Sequence, residues 1–225
     1  EDTTGSRIAI SRTAGITQDQ VLIGSSLALG GHAGYLGTQT LHGALAYLNH
    51  VNDNGGIHQR KIKVIAYDDG YDPPRCVANT QKLIVDDKVF CLFGYVGTPT
   101  TLKILPLAED AKIPVVGMFT GANALREPLK RYMINVRASY YQETGAAVRH
   151  LVEKIKTYYN NDLTGKHFAL WGLAFKPNTD DIREAPALYT IERLIEAGAE
   201  VKVFDPEAMD NVKGIFGDKI KYASD

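Results

Sequence analysis

Short apolar runs alternate along this chain with longer stretches whose apolar residues recur every three or four positions. The runs at 20–29, 61–69, 89–97, 113–119, 132–137, 167–175 and 200–206 are dense in Val, Ile, Leu and Phe and predict buried strands. The stretches at 38–56, 71–87, 98–111, 140–160 and 183–199 predict helices, followed by a short helix at 210–218 and the start of one more strand at 219–225. In the first helix Leu41, Ala44, Leu45, Leu48 and Val51 share one face, and the pair Gly55–Gly56 ends it. In the long helix at 140–160 the inward set is expected to be Ala147, Val148, Leu151 and Ile155. Asp72, followed by two prolines, is the expected N-cap of the second helix.

Strands and helices that alternate at these lengths call for parallel sheets joined by right-handed crossovers. The expected fold class is therefore α/β, Rossmann-like or flavodoxin-like, with helices flanking the sheets. Two lobes are the favoured arrangement, and one continuous sheet is the alternative. A length of 225 residues suits either. No repeat of fixed period and no low-complexity tract interrupts the pattern.

Composition narrows the function classes. An apolar share of 44% suffices for a core, and a formal net charge of -1 supplies no basic field for nucleic acid or for an anionic membrane. No apolar run approaches the roughly 20 residues that cross a bilayer. The first residues, "EDTTGSRIAI", lack the basic and apolar regions of a signal peptide, so the chain carries no address of its own. Two cysteines, Cys76 and Cys91, leave two readings open: a buried reduced pair, or one disulfide formed in an oxidising compartment. The six histidines are scattered, and His42 and His50 fall two helical turns apart, too far to share a metal. Neither a metal site nor a cofactor is expected.

In an open parallel sheet, ligands meet the loops at the carboxyl ends of the strands. Three such loops are rich in small and hydroxyl residues: "GGHAGYLGTQT" (30–40), "GYVGTPTT" (94–101) and "FTGANA" (119–124). Glycine admits a ligand to the backbone, and a helix start offers free N–H groups to a carboxylate. Ordinary turns and caps would use the same residues. The phrases "GITQDQVLIGSSLALGG", "ALAYLNHVNDNGGIHQRKIKVIAYDDGYDPPRCVANTQKLI" and "VFCLFGYVGTPTT" go further. Residues 14–153 resemble the amino-terminal lobe of type I periplasmic solute-binding proteins of the leucine/isoleucine/valine-binding group. The resemblance implies a lobe that grips an amino acid's carboxylate and ammonium, facing a second lobe that closes on it. Carried onto this chain, the ligand-binding positions are Tyr35, Thr98, Gly121, Ala122 and Asn123. Asn123 stands where Thr or Ser is commoner in that group.

The phrase "GLAFKPNTDDIREAP" (172–186) belongs to another pattern. Residues 154–225 resemble part of the carboxyl-terminal, UDP-binding domain of UDP-glucose 6-dehydrogenases. The resemblance implies that Phe175 and Lys176 touch a UDP-sugar and that Arg183 reaches the NAD phosphates. On local chemistry alone, Asp180, Asp181 and Arg183 would cap and pair at a helix start. Asp205 ends a strand as a ribose-binding acid would, although "DPEAM" also reads as an N-cap. Gly172 opens no G-x-G-x-x-G loop. Those enzymes use a cysteine in a glycine-rich loop, and neither Cys76 nor Cys91 has that setting, so no catalytic residue and no dehydrogenase activity are expected.

Two unrelated signatures meeting inside one helix, each without the rest of its family's chain, point to an engineered chimera without evolved activity. The alternative is weak residual binding of an amino acid or small carboxylate at the first segment, or of a nucleotide phosphate or UDP-sugar at the second. A homodimer through an exposed sheet edge is a further expectation. The parent families would be periplasmic and cytoplasmic, which leaves the chain's own location open.

Overall fold

The computed structural model describes residues 13–175, 178–183 and 185–224. They form two compact units, one ending at Arg137 and the other starting at Ala138. In the first unit, β1 (Gln20–Leu27), α1 (Gly34–Asp53), β2 (Lys61–Asp68), α2 (Pro73–Val85), β3 (Cys91–Phe93), α3 (Thr98–Asp110), β4 (Val115–Val116) and β5 (Met133–Ile134) follow one another. The strands pair in the order β2-β1-β3-β4-β5, all parallel. β1 lies inside the sheet and is buried along its last five residues, as a strand covered on both faces should be. Leu83, Leu92, Tyr95, Ile104 and Val115 fill the core.

The second unit runs α4 (Tyr140–Tyr158), β6 (His167–Trp171), α5 (Pro186–Glu196), β7 (Glu200–Phe204), α6 (Met209–Phe216) and β8 (Lys221–Tyr222). Its sheet is parallel in the order β6-β7-β8. One face packs a separate core of Val148, Val152, Leu173, Ile191, Leu194, Val201, Val203 and Phe216. On the opposite face His167, Ala169, Trp171, Glu200 and Lys202 are exposed, alternating with the buried positions. The α/β class and the parallel sheets are as the sequence predicts. There are two sheets, not one continuous sheet.

Local signals explain most boundaries. Asp72 caps α2 by accepting from the Arg75 N–H at 3.1 Å. Ser139 and Gln142 close a capping box on α4. α1 ends where the Gly55 and Gly56 N–H groups return to the Asn52 and Val51 carbonyls. α1 begins a turn earlier than the periodicity suggests, because Gly34 and Gly37 sit inside the helix where it passes close to the backbone of residues 28 and 29. The inward face of α4 is also corrected. Val148 and Val152 are buried and Ile155 packs beside them, whereas Ala147 and Leu151 are exposed. An apolar stripe wider than the buried one misled the helical count there.

Candidate functional site: two strand-end edges

The first edge lies at the carboxyl ends of β1, β3 and β4. Gly97, at φ 99°, caps α3 and turns the chain from strand into helix. In the first turn of α3 Pro99 has no N–H and the Thr101 N–H donates to the Gly97 carbonyl at 3.2 Å, which leaves the N–H groups of Thr98 and Thr100 without intrahelical acceptors. Beside them the Thr98 and Thr120 hydroxyls lie 2.7 Å apart, and the Ala122 N–H donates to Thr120 Oγ1 at 3.2 Å. Thr100 and Thr101 turn their hydroxyls back to the Val96 and Gly97 carbonyls, so they shape the helix start rather than face a ligand. Gly121 and Ala122 are buried beside this pair.

Two consecutive acids organise the same edge. The Asp68 carboxylate accepts from the N–H groups of Leu29 at 2.8 Å, Gly70 at 2.9 Å and Gly30 at 3.3 Å. These bonds, led by Leu29 and Gly70, hold it below the usual carboxylate range. Asp69 is fully buried, takes the Ser26 hydroxyl at 2.9 Å and the Tyr71 N–H at 2.8 Å, and is pushed upward by that burial.

Of the residues expected here, Thr98, Gly121 and Ala122 come together through Thr120. Thr120 was not singled out in the sequence, although it is the one hydroxyl in "FTGANA". Asn123 donates from Nδ2 to Glu127 Oε2 at 3.1 Å. Tyr35 stands on the first turn of α1 with 80% of its surface exposed and makes no hydrogen bond or ring contact with the threonine pair. The arrangement gathers hydroxyl and N–H groups at one strand-end edge. It presents no thiolate: Cys76 and Cys91 are buried and free, and burial pushes their thiols up to about 12 and about 11.

The second edge lies at the ends of β6 and β7. A cleft of about 370 Å³ is lined by Gly172, Ala174, Phe175, Asn178, Thr179 and Asp205, among others. The Asp205 carboxylate is committed to the backbone. One oxygen accepts from Leu173 at 2.7 Å and Ala174 at 3.2 Å, the other from Glu207 at 2.9 Å and Ala208 at 2.8 Å. Burial alone would raise Asp205, but these four bonds outweigh it and hold the acid below its usual range. Arg183 forms a two-pronged pair with Asp181, at 2.8 and 2.7 Å. Phe175 is partly exposed at the cleft. Lys176 lies outside the described residues. Among the described residues no group of three or more His, Cys, Asp or Glu could hold a metal ion, and no helix is long and apolar enough to cross a membrane.

Residues 20–167 match the periplasmic binding protein family, which is more than half of the chain. The chain belongs to the periplasmic binding protein family. Residues 169–225 match a different family, the UDP binding domain of UDP-glucose/GDP-mannose dehydrogenases. A possible leucine/isoleucine/valine-binding protein from Rhodopirellula baltica SH 1 is 26% identical, with a TM-score of 0.60, over 92% of this chain and 54% of that one. LivJ from Streptococcus pneumoniae, solved in complex with isoleucine, shares the fold at 18% identity and a TM-score of 0.58, over 88% of this chain and 54% of that one. UDP-glucose 6-dehydrogenase TuaD from Bacillus subtilis is 42% identical over 76 residues, covering 34% of this chain and 16% of TuaD. That match is longer than the stretch 169–225, so it reaches back into α4. The chain thus spans about half the length of these solved relatives and about a sixth of TuaD.

Proposed function

We propose that the chain is an engineered recombinant of two α/β fragments, without evolved catalytic activity, whose remaining chemistry is weak capture of a small carboxylate at the Thr98–Thr120 edge. One observation carries this reading: the matches to two different families abut, one ending at 167 and the other beginning at 169, with no linker between them, and the match to TuaD reaches back into α4. Natural fusions join whole domains through exposed linkers. A seam in a regular element preserves packing, which is what deliberate recombination requires. The proposed junction is near residues 153 and 154, in α4, which packs on the β6–β8 core. The Thr98 and Thr100 N–H groups at the start of α3, beside the Thr98 hydroxyl, would be an anion's partners. For capture by this edge alone, affinity is expected at about millimolar or weaker.

Two measurements test this. UDP-glucose with NAD should yield no NADH above a Lys176→Ala control. Isoleucine titrated into the protein should give no micromolar constant. A micromolar constant abolished by Thr98→Ala would overturn the reading. Saturable UDP-glucose binding lost in Lys176→Ala would favour the cleft beside Phe175 instead.

A further inference from the structure

The bare face of the β6–β8 sheet departs from the rule for parallel strands, which are ordinarily covered by helices on both faces. Here α4, α5 and α6 all contribute to one core on one face, through Val148, Ile191 and Phe216 among others. Two shallow cavities, of about 270 and about 340 Å³, run along the other face and share Ala169 and Lys202. Together they make one open groove. The parallel register sets its floor in rows: His167 beside Glu200, Ala169 beside Lys202 and Lys221, and Trp171 beside Phe204. One end is therefore apolar, with Trp171 largely exposed and its ring edge-on to Phe204. The middle and the other end are charged.

The charges on this floor do not cancel. Among the described residues that line the groove, Glu200 is the single acid, and it is already shared: Lys221 reaches it at 2.5 Å and His167 at 3.4 Å. Lys202 has no ion-pair or hydrogen-bond partner among the described residues. Covering an ammonium without an opposing carboxylate is costly. A second copy laid face to face would bring two Lys202 side chains together with both Glu200 carboxylates engaged, so charge opposes self-association here. Dimensions name the occupant that charge leaves. Three strands about 4.8 Å apart give a floor about 10 Å wide, the diameter of an α-helix with its side chains. The ladder of β6 and β7 is about 17 Å long, the rise of about eleven helical residues. We propose that this groove docks an amphipathic helix of a partner protein, its apolar stripe on Ala169, Trp171 and Phe204 and an acidic side chain opposite Lys202. The proposal is independent of the Thr98–Thr120 edge.

The test uses the full chain and the emission of Trp171, since no other tryptophan contributes. The probe is a capped peptide of about 18 residues, Ala and Leu in helical periodicity with Glu flanking the Leu stripe. Its counterpart carries Lys for each Glu. The acidic peptide should move the indole emission to the blue, gain helical circular dichroism, and bind about tenfold or more tightly than the basic one. Lys202→Glu, at an exposed strand position beside Lys221, should reverse that order. Equal binding of the two peptides, or an order that Lys202→Glu leaves unchanged, would overturn the proposal, as would no shift with either peptide. A blue shift that grows with protein concentration alone, with a dimer in sedimentation, would give the face to a second copy and overturn it too. If dodecanoate produced the full shift and excluded the acidic peptide, the groove would be a site for anionic amphiphiles instead.

Discussion

At the scale of single residues, two buried acids work in opposite directions. Asp205 receives four backbone N–H groups, and its folded value lies below the ordinary 3.8. A depressed acid contributes stability that is complete above its unfolded value and lost as pH falls through the folded one. The second unit should therefore lose stability as pH drops below 3.8, and Asp205→Asn should flatten that slope in acid denaturation curves. Asp69 is raised by burial, so its contribution has the other sign: present below 3.8 and lost as pH climbs through its folded value. Asp69→Asn should remove that decline from the first unit, as read by thermal midpoints across the same pH series. The sequence offered Asp205 as a ribose ligand or an N-cap, and the carboxylate bonds show it tying four backbone groups. The cap reading anticipated the local half of that network, the bonds from Glu207 and Ala208; its bonds from Leu173 and Ala174 and the Ser26–Asp69 bond were not legible, because partners 31 to 43 residues apart are set by sheet pairing and not by local spacing.

Elements were more legible than their ends. Every strand and helix expected from the periodicity exists, but β3, β4 and β5 keep only three, two and two residues of ladder. The apolar runs continue past these ladders into loops that are buried for other reasons, as Tyr95 and Val96 are. Capping signals placed α2 correctly because an N-cap acts within three residues. The start of α1 was missed because glycine reads as a breaker, whereas Gly37 is there for contact. A Cβ on Gly37 would fall 1.8 Å from the Ala28 carbonyl oxygen. Gly37→Ala should force the helix away from β1 and cost about 1–3 kcal/mol in denaturant unfolding, despite alanine's better helix propensity. Ser139→Ala removes half of the capping box on α4 and should cost about 1 kcal/mol, confined to the second unit.

For the whole molecule, the division into two α/β pieces of different ancestry was legible from two phrases, since each family signature is dense and local. What the phrases could not convey is where the cores divide. The compact units part at Arg137 and Ala138, thirty residues before the first family match ends at 167, because α4 turns Val148 and Val152 onto the β6–β8 sheet. The two cores share no residue. Scanning calorimetry should accordingly resolve two transitions, with a van't Hoff enthalpy below the calorimetric one. A single transition with equal enthalpies would show that the units melt as one.

The bare side of the β6–β8 sheet has a practical consequence for such experiments. It carries Trp171, the chain's single tryptophan, which is 86% exposed and meets Phe204 edge-on at 6.2 Å. Intrinsic indole emission is therefore a private signal of the second unit, already water-facing at the outset. Its wavelength will shift little on melting, and the first unit will come apart without altering it. A denaturation curve drawn from indole wavelength alone would therefore miss both transitions that calorimetry should resolve.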